Sequence, residues 1–345
     1  MVSVHFLNVG HGDCTIIEHA SGHITMVDIN NSDALDDDTR RELAQAFGIT
    51  GATYAAKQAV AEALGQSFRK LYLTEAGYDI GLTDPVTYYK ARWGGDAIFR
   101  FAVTHPHLDH MRGVVRLRQE GIEMVNFWDT YNSESEPEFK NDTDEAEWNE
   151  YQRLRKATGW PKVLRLFQNA RGKYYNEDDG GGSGDGLYVL APTRELCVAA
   201  NEAGDPNGHS YVLMLIHRGI RVVLGGDATE AVWQSIYDCY GNNLKCHVLK
   251  ASHHGRDSGY HAEAVAAMKP EYTIVSVGKK PETDASNNYG YHTTKGVWST
   301  RWHGNIVVAI QDNGSYSIDS DKMRRDRESA ARVAVLPAAS NPRLF

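Results

Sequence analysis

Apolar residues along this chain recur in short β-type runs, broken by polar and glycine-rich turns, with longer helical stretches set between them. Residues 2–9 alternate loosely, Gly10-His11-Gly12-Asp13 interrupts, and Cys14 to Glu18 resumes, which predicts a hairpin. His23 to Asp28 predicts a third strand ending in Val27-Asp28. Residues 33–93 change character. An acidic run (Asp33, Asp36, Asp37, Asp38) leads into an Ala-rich helical stretch from Arg40 to Leu71, and Asp84-Pro85 opens a short helix from Val86 to Trp93. This segment is expected to be a helical insertion serving as a lid, a dimer surface or simple cover.

The strand pattern returns at Ile98 to Val103, followed by a helix at Met111 to Gln119 and a strand at Met124 to Trp128. Asn132 to Asn149 is strongly acidic and is expected to be a solvated face. Tyr151 to Thr158 continues as a helix, and residues 176–186 form a glycine-rich loop without the Lys-Ser/Thr ending of a phosphate-binding loop. Strands follow at Leu187 to Ala191, Tyr211 to His217, Arg221 to Leu224, His247 to Ala251 and Tyr272 to Val277, with a helix at Glu230 to Tyr240. A loop through residues 287–292, a short helix at 296–303 and a hairpin from Ile306 to Ile318 close the pattern. The alternation predicts an α/β fold in one domain over 1–320, with insertions at 33–93 and 132–186 and a C-terminal tail at 321–345 that is mobile at its end.

Composition narrows this picture. At 345 residues and 41% hydrophobic content the chain can build a full core. No apolar run approaches ~18 residues, so no transmembrane helix is expected. The N-terminus lacks a basic segment followed by an apolar one, so no signal peptide is expected. Cys14, Cys197, Cys239 and Cys246 are widely spaced without a C-x-x-C pair, which fits free thiols in a reducing cytoplasm. The net charge of −9 argues against a general nucleic-acid coat but does not exclude an enzyme that grips phosphate through metals.

The densest chemistry lies just after the Ile98 to Val103 strand, where His105, His107, Asp109 and His110 fall within six residues. Imidazole and carboxylate are ligands for zinc, manganese or iron. On an extended turn His105 and His107 can face one centre, and Asp109 and His110 a second beside it. Four ligands in six residues would strain a single tetrahedral ion, so two divalent transition metals, zinc or manganese, are expected. Asp28, at a strand end, either orients metal ligands through hydrogen bonds or serves as a turn residue before Asn30 and Asn31. Later strands end at or near His209, Asp227 and His253-His254, and strand-end loops of layered α/β folds gather on one edge.

Taken in order, these motifs resemble the metallo-β-lactamase fold, and within it the soluble hydrolases similar to the metallohydrolase domain of ComEC-type DNA-uptake proteins. The matching stretches are Phe6 to Asp13, Val27-Asp28, Thr104 to His110, Asn207 to Leu213, Gly225-Gly226-Asp227, Leu249 to Gly255 and Asn288 to His292. Asn8 stands where that group has Asp, and His11 where it has Gln. The resemblance implies an αββα sandwich with a binuclear site on one edge. By that likeness His105 and His107 hold the first metal, Asp109, His110 and His253 the second, and Asp227 bridges. His254 is then left to meet substrate, and His209 is an open candidate for a further ligand to the first metal.

The expected function is that of a metal-dependent hydrolase, foremost a phosphodiesterase or nuclease using a metal-bridging hydroxide oriented by Asp109 and Asp227. Lys250, Ser252, His254, Asn288 and His292 are candidates to bind phosphate or protonate the leaving group. The rival expectations are a hydrolase of a lactone, thioester or β-lactam, and a non-catalytic metal-binding scaffold. A nucleic acid or nucleotide is the expected substrate, with no membrane partner.

Overall fold

The computed structural model describes residues 1–32, 35–139, 141–176, 184–276 and 284–335. Asp33, the centre of the glycine-rich loop, Val277 and the end of the C-terminal tail lie outside the described residues.

The chain opens with β1 (Val2–Phe6), β2 (Thr15–Glu18) and β3 (Ile24–Val27). Three helices follow, α1 (Asp37–Ala46), α2 (Gly51–Ala63) and α3 (Pro85–Trp93). Next come β4 (Ile98–Ala102), α4 (Val114–Gln119), β5 (Met124–Trp128), α5 (Asp142–Arg155) and β6 (Lys162–Leu164). The second half runs through β7 (Leu187–Ala191), α6 (Arg194–Ala203), β8 (Val212–His217), β9 (Ile220–Leu224), α7 (Glu230–Tyr240), β10 (Val248–Lys250), α8 (Ala262–Met268) and β11 (Tyr272–Val275). It closes with α9 (Ser286–His292), β12 (Gly296–Ser299), α10 (Thr300–His303), β13 (Ile306–Ile310), β14 (Tyr316–Ser320) and α11 (Asp321–Val335).

Two sheets result. One has eight strands in the order β14-β13-β1-β2-β3-β4-β5-β6, the other six in the order β12-β11-β10-β9-β8-β7. The expected hairpin is present, with Phe6 opposite Thr15 and Ser3 opposite Glu18. Period-2 alternation builds the layers. Val2, Val4 and Phe6 of β1 join Val222 and Leu224 of β9 in the core between the sheets. Val223, one residue out of phase, faces the opposite way, into a cluster with Trp233 and Ile236 of α7. On the far side of the larger sheet, Met26, Phe101 and Phe127 meet Val86, Leu117 and Tyr151 from the helices. Helix, sheet, sheet and helix therefore stack as the expected αββα sandwich. No helix among the described residues is long and apolar enough to cross a membrane.

The 33–93 segment has its own small core of Leu43, Tyr54, Phe68, Leu73 and Tyr78, against which Trp302 packs. It is tied to the sandwich by polar bonds: Tyr78 donates its hydroxyl to Arg301 O at 2.6 Å, and Thr83 N donates to Asn8 O at 2.8 Å. The start of α3 follows the expected signals, with Asp84 accepting from Thr87 N and Pro85 in the first turn.

Four expectations need correction. The acidic run at 132–149 is not simply a solvated face, because Asp144 and Glu147 of α5 are buried. Asp144 accepts from Arg112 Nε at 2.8 Å, and Glu147 accepts from Val115 N at 2.9 Å, placing a carboxylate on the N-terminus of α4. The 287–292 loop is helix α9, anchored by fully buried Tyr289. The helix expected at 296–303 is half strand, since β12 pairs in parallel with β11 before α10 begins. Finally, residues 321–335 are helical rather than a tail, and Arg325 near the start of α11 pairs with Asp79 at 3.0 Å.

Candidate metal centre

The centre forms where β3, β4 and β9 end. Asp28 follows β3 with φ +57, a left-handed turn that brings its carboxylate back under the next loop. Its Oδ1 accepts from Thr104 N at 2.7 Å and its Oδ2 from the Thr104 hydroxyl at 2.8 Å. The 105–110 loop is thereby fixed at its root. At its other end Ile29 N donates to His110 O at 3.1 Å. The opening loop closes over it: Asp13 N donates to Asp109 O, and Gly12, at φ +138, leaves no room for a side chain, since a Cβ would stand 2.6 Å from Asp109 O.

Asp227 sits at the middle. It follows β9 through Gly225-Gly226, and Gly226 (φ +52) lets the loop press onto Tyr211 O, where a Cβ would lie 2.8 Å away. Its Oδ1 is 3.4 Å from His110 Nε2. Its Oδ2 is 3.8 Å from His105 Nε2, 3.7 Å from His253 Nε2 and 3.6 Å from His254 Nε2. His105 Nε2 and His107 Nδ1 approach to 2.9 Å, and His254 Nε2 lies 3.2 Å from Asp109 Oδ2. His253 and His254 both have positive φ (47 and 57), and this paired strain turns both rings inward from one tight turn.

These residues fit divalent ions. Asp13, His110, Asp227 and His254 form one buried group with ligand atoms in mutual reach, and His11, Asp109 and His254 form another. His110 Nε2, Asp227 Oδ1 and His254 Nδ1 are buried and have no hydrogen-bond partner among the described residues. Two atoms each ~2.1 Å from a tetrahedral ion stand about 3.4 Å apart, close to the spacings around Asp227. Burial alone would raise the Asp227 carboxyl, but His254 and His110 override it and hold it well below the usual range. Asp109 is held down likewise, chiefly by His110 against burial. Both carboxylates are therefore charged.

Two supports flank the ligands. His110 Nδ1 meets Asp28 Oδ2 at 2.8 Å, so Asp28 has the orienting role rather than only a turn role. Behind His254, Asp13 Oδ1 lies 3.7 Å from Nδ1. Burial opposes charge on His254, but Asp227 and Asp13 overcome it and push the ring up to about 9.

Sequence reasoning placed two residues wrongly. Lys250, expected to bind phosphate, is 3% exposed and donates to Asp13 Oδ2 at 2.8 Å, because β10 is an inner strand with both faces covered. Ser252, expected to touch substrate, is fully buried and donates to the carbonyls of the Gly225–Ala228 turn, at 2.9 Å for Ala228 O. Asn288 and His292 lie on α9 and form no hydrogen bond or ion pair with the Asp/His cluster. His209 is buried with both ring nitrogens unpartnered, and Asp205 is a charged neighbour of both it and His107. His254, expected on the substrate side, is deeper than His253, whose Nδ1 is held by Ser258 Oγ at 2.6 Å. Sequence reasoning also missed Asp13, although its position in the opening motif was a signal.

No family model matches the chain. It is 31% identical over 96 residues to competence protein ComA of Neisseria gonorrhoeae, covering 26% of this chain and 14% of that protein. It is 29% identical over 132 residues to ComE operon protein 3 of Bacillus subtilis, covering 37% of this chain and 15% of that protein. Among solved structures it is similar to the metallo-β-lactamase fold protein YhfI of Bacillus subtilis (8% identity, TM-score 0.39, 92% of this chain and all of that one). It is also similar to CmlA, a diiron β-hydroxylase from Streptomyces venezuelae (12%, TM-score 0.44, 89% and 54%). A third is Zn(2+)-bound PqqB from Methylobacterium extorquens (11%, TM-score 0.38, 92% and 99%).

Proposed function

We propose that this chain of metallo-β-lactamase type is a metal-dependent hydrolase, and that its substrate is a phosphodiester of a nucleic acid or nucleotide. The observation that carries the reading is the position of Asp227, whose two oxygens stand between His110 on one side and His105, His253 and His254 on the other. In this assignment His105 and His107 hold one ion, with His209 as a further ligand. Asp109, His110 and His254 hold the other, and Asp227 is shared. His253 then stands at the rim.

Bound zinc or manganese would supply an acidified water and polarise the bond under attack. The chain's own groups do the rest. Asp28 fixes the ring orientation of His110, and Asp13 sets a negative charge 3.7 Å from His254 Nδ1. Asp109, partly open to solvent, can help orient the attacking water. The phosphodiester class is favoured by the opening and Ser-His-His-Gly motifs shared with ComEC-type hydrolases.

The test sets bis(p-nitrophenyl) phosphate beside a chromogenic β-lactam and a thioester, with zinc- and manganese-loaded protein. Turnover of the phosphodiester alone is expected. Turnover of only the thioester or β-lactam replaces the substrate class, and none at two metal equivalents sinks the hydrolase reading.

A further inference from the structure

Arg256 stands at the edge of the centre and has no assigned role. Its backbone is held from three sides. Its N donates to His253 O at 3.0 Å, its carbonyl accepts from Gly259 N at 3.0 Å, and it forms an antiparallel bridge with Asp284. The side chain therefore departs from a fixed point two residues after His254. Its Nη2 lies 3.3 Å from His11 Nε2. The His11 ring is 4.8 Å from that of His254, and its Nε2 is 3.8 Å from Asp109 Oδ2. The guanidinium is thus one imidazole away from the acidic ligand on the substrate side.

The charge on Arg256 is not spent. Among the described residues no carboxylate forms an ion pair with it, and its Nε is buried without an acceptor. Other cations near the centre are occupied: Lys250 by Asp13, Arg112 by Asp144 and Arg155 by Asp129. A buried guanidinium donor with no acceptor costs free energy unless a ligand supplies one. His11, Asp109 and His254 are also close enough to hold an ion, but a cation already donates to the His11 nitrogen. That contact suits an anion site better than a third metal.

We propose that Arg256, steadied by His11, is the specificity-determining residue of this site and grips the non-bridging oxygens of a phosphoryl group. The guanidinium fork matches two such oxygens at once, which an ammonium cannot do. The phosphoryl class rests on the phosphodiesterase reading above; the anion contact itself rests only on the geometry of Arg256. It takes over the place in which sequence reasoning had put Lys250.

Inorganic phosphate is titrated calorimetrically into zinc-loaded protein, with zinc content measured on the same samples and steady-state kinetics on bis(p-nitrophenyl) phosphate alongside. Arg256→Gln should keep its zinc, weaken phosphate by about tenfold or more and raise KM by a similar factor, with kcat within about threefold. Arg256→Lys keeps the charge but loses the fork, so it should recover only part of the affinity, and it decides the matter if Arg256→Gln fails to fold. His11→Gln, which can still accept from Arg256, should lose less phosphate affinity than His11→Ala. Unchanged phosphate affinity in Arg256→Gln and Arg256→Lys overturns the proposal. So does loss of zinc in both, which would make Arg256 structural. If the parent binds phosphate through Arg256 but cleaves no phosphodiester, the proposed function falls and the anion site stands.

Discussion

Asp28 Oδ2 and His110 Nδ1 are 2.8 Å apart, and this bond decides which nitrogen of His110 faces Asp227. Burial raises the Asp28 carboxyl, and His110 is the first group to oppose the rise. Asp28→Asn keeps the shape and removes the charge. Metal affinity should fall about 10–100-fold, as is usual when the carboxylate behind a ligating histidine is lost. Chelator competition reads this directly, and an unchanged affinity would reduce Asp28 to a brace for Thr104.

Asp227→Asn is expected to be the most damaging small change. The amide cannot offset two dications, so at least one ion should be lost and phosphodiester turnover abolished while the far-ultraviolet circular dichroism stays that of the parent. Parent-rate turnover with two metals bound would make Asp227 a turn residue and the site assignment wrong.

His209 has two buried ring nitrogens and nothing among the described residues to satisfy them. An ion on the His105/His107 side would satisfy one. His209→Ala should lower zinc from about two equivalents toward one without unfolding the chain. Metal content that does not move removes His209 from the ligand set.

Lys250 should behave as a structural residue. Lys250→Met takes from the buried Asp13 its lysine partner, at a cost of up to about 3–5 kcal/mol. A lower urea midpoint is expected. Burial would raise the Asp13 carboxyl, and Lys250, the first group to counter it, would be gone. Full stability combined with a raised KM would return Lys250 to the role of a phosphate contact.

Acid should weaken the fold through His5 and His19. Both are buried, and burial, followed by arginine neighbours, lowers both rings from 6.5 to about 3. A depressed pKa means that the unfolded chain takes up protons first. Their contribution is whole above pH 6.5 and is lost as pH falls toward 3, by up to about 1.4 kcal/mol per ring for each unit. His5→Phe, which removes one of these rings, should show a shallower decline of the denaturation midpoint between pH 6.5 and 4 than the parent, even if it starts lower. Parallel declines would discount His5.

The candidate ligands were legible because they are local. His105 to His110 and His253-His254 each occupy a single turn, and strand ends announce Asp28 and Asp227. What escaped depends on partners far away in the chain. Lys250 and Asp13 are 237 positions apart, and only the inner place of β10 in its sheet makes the lysine buried. The acidic run hid the inward face of α5, because Asp144 and Glu147 look like surface residues until α4 is set beside them. Helix α9 was missed since Asn-Asn-Tyr-Gly-Tyr is a poor helix former and is held by the burial of Tyr289.

Asn8 carries a lesson for anyone who would transplant parts of this molecule. Its amide donates to Gly81 O at 2.8 Å, and its backbone accepts from Thr83 N, so the opening loop and the inserted segment are stitched through one residue. An aspartate, the residue usual at this point in ComEC-type hydrolases, has acceptors only and would set a charge against that carbonyl. A graft of the opening loop alone would bring the wrong residue to position 8, and deletion of the helices would leave Asn8 with a donor and no one to receive it.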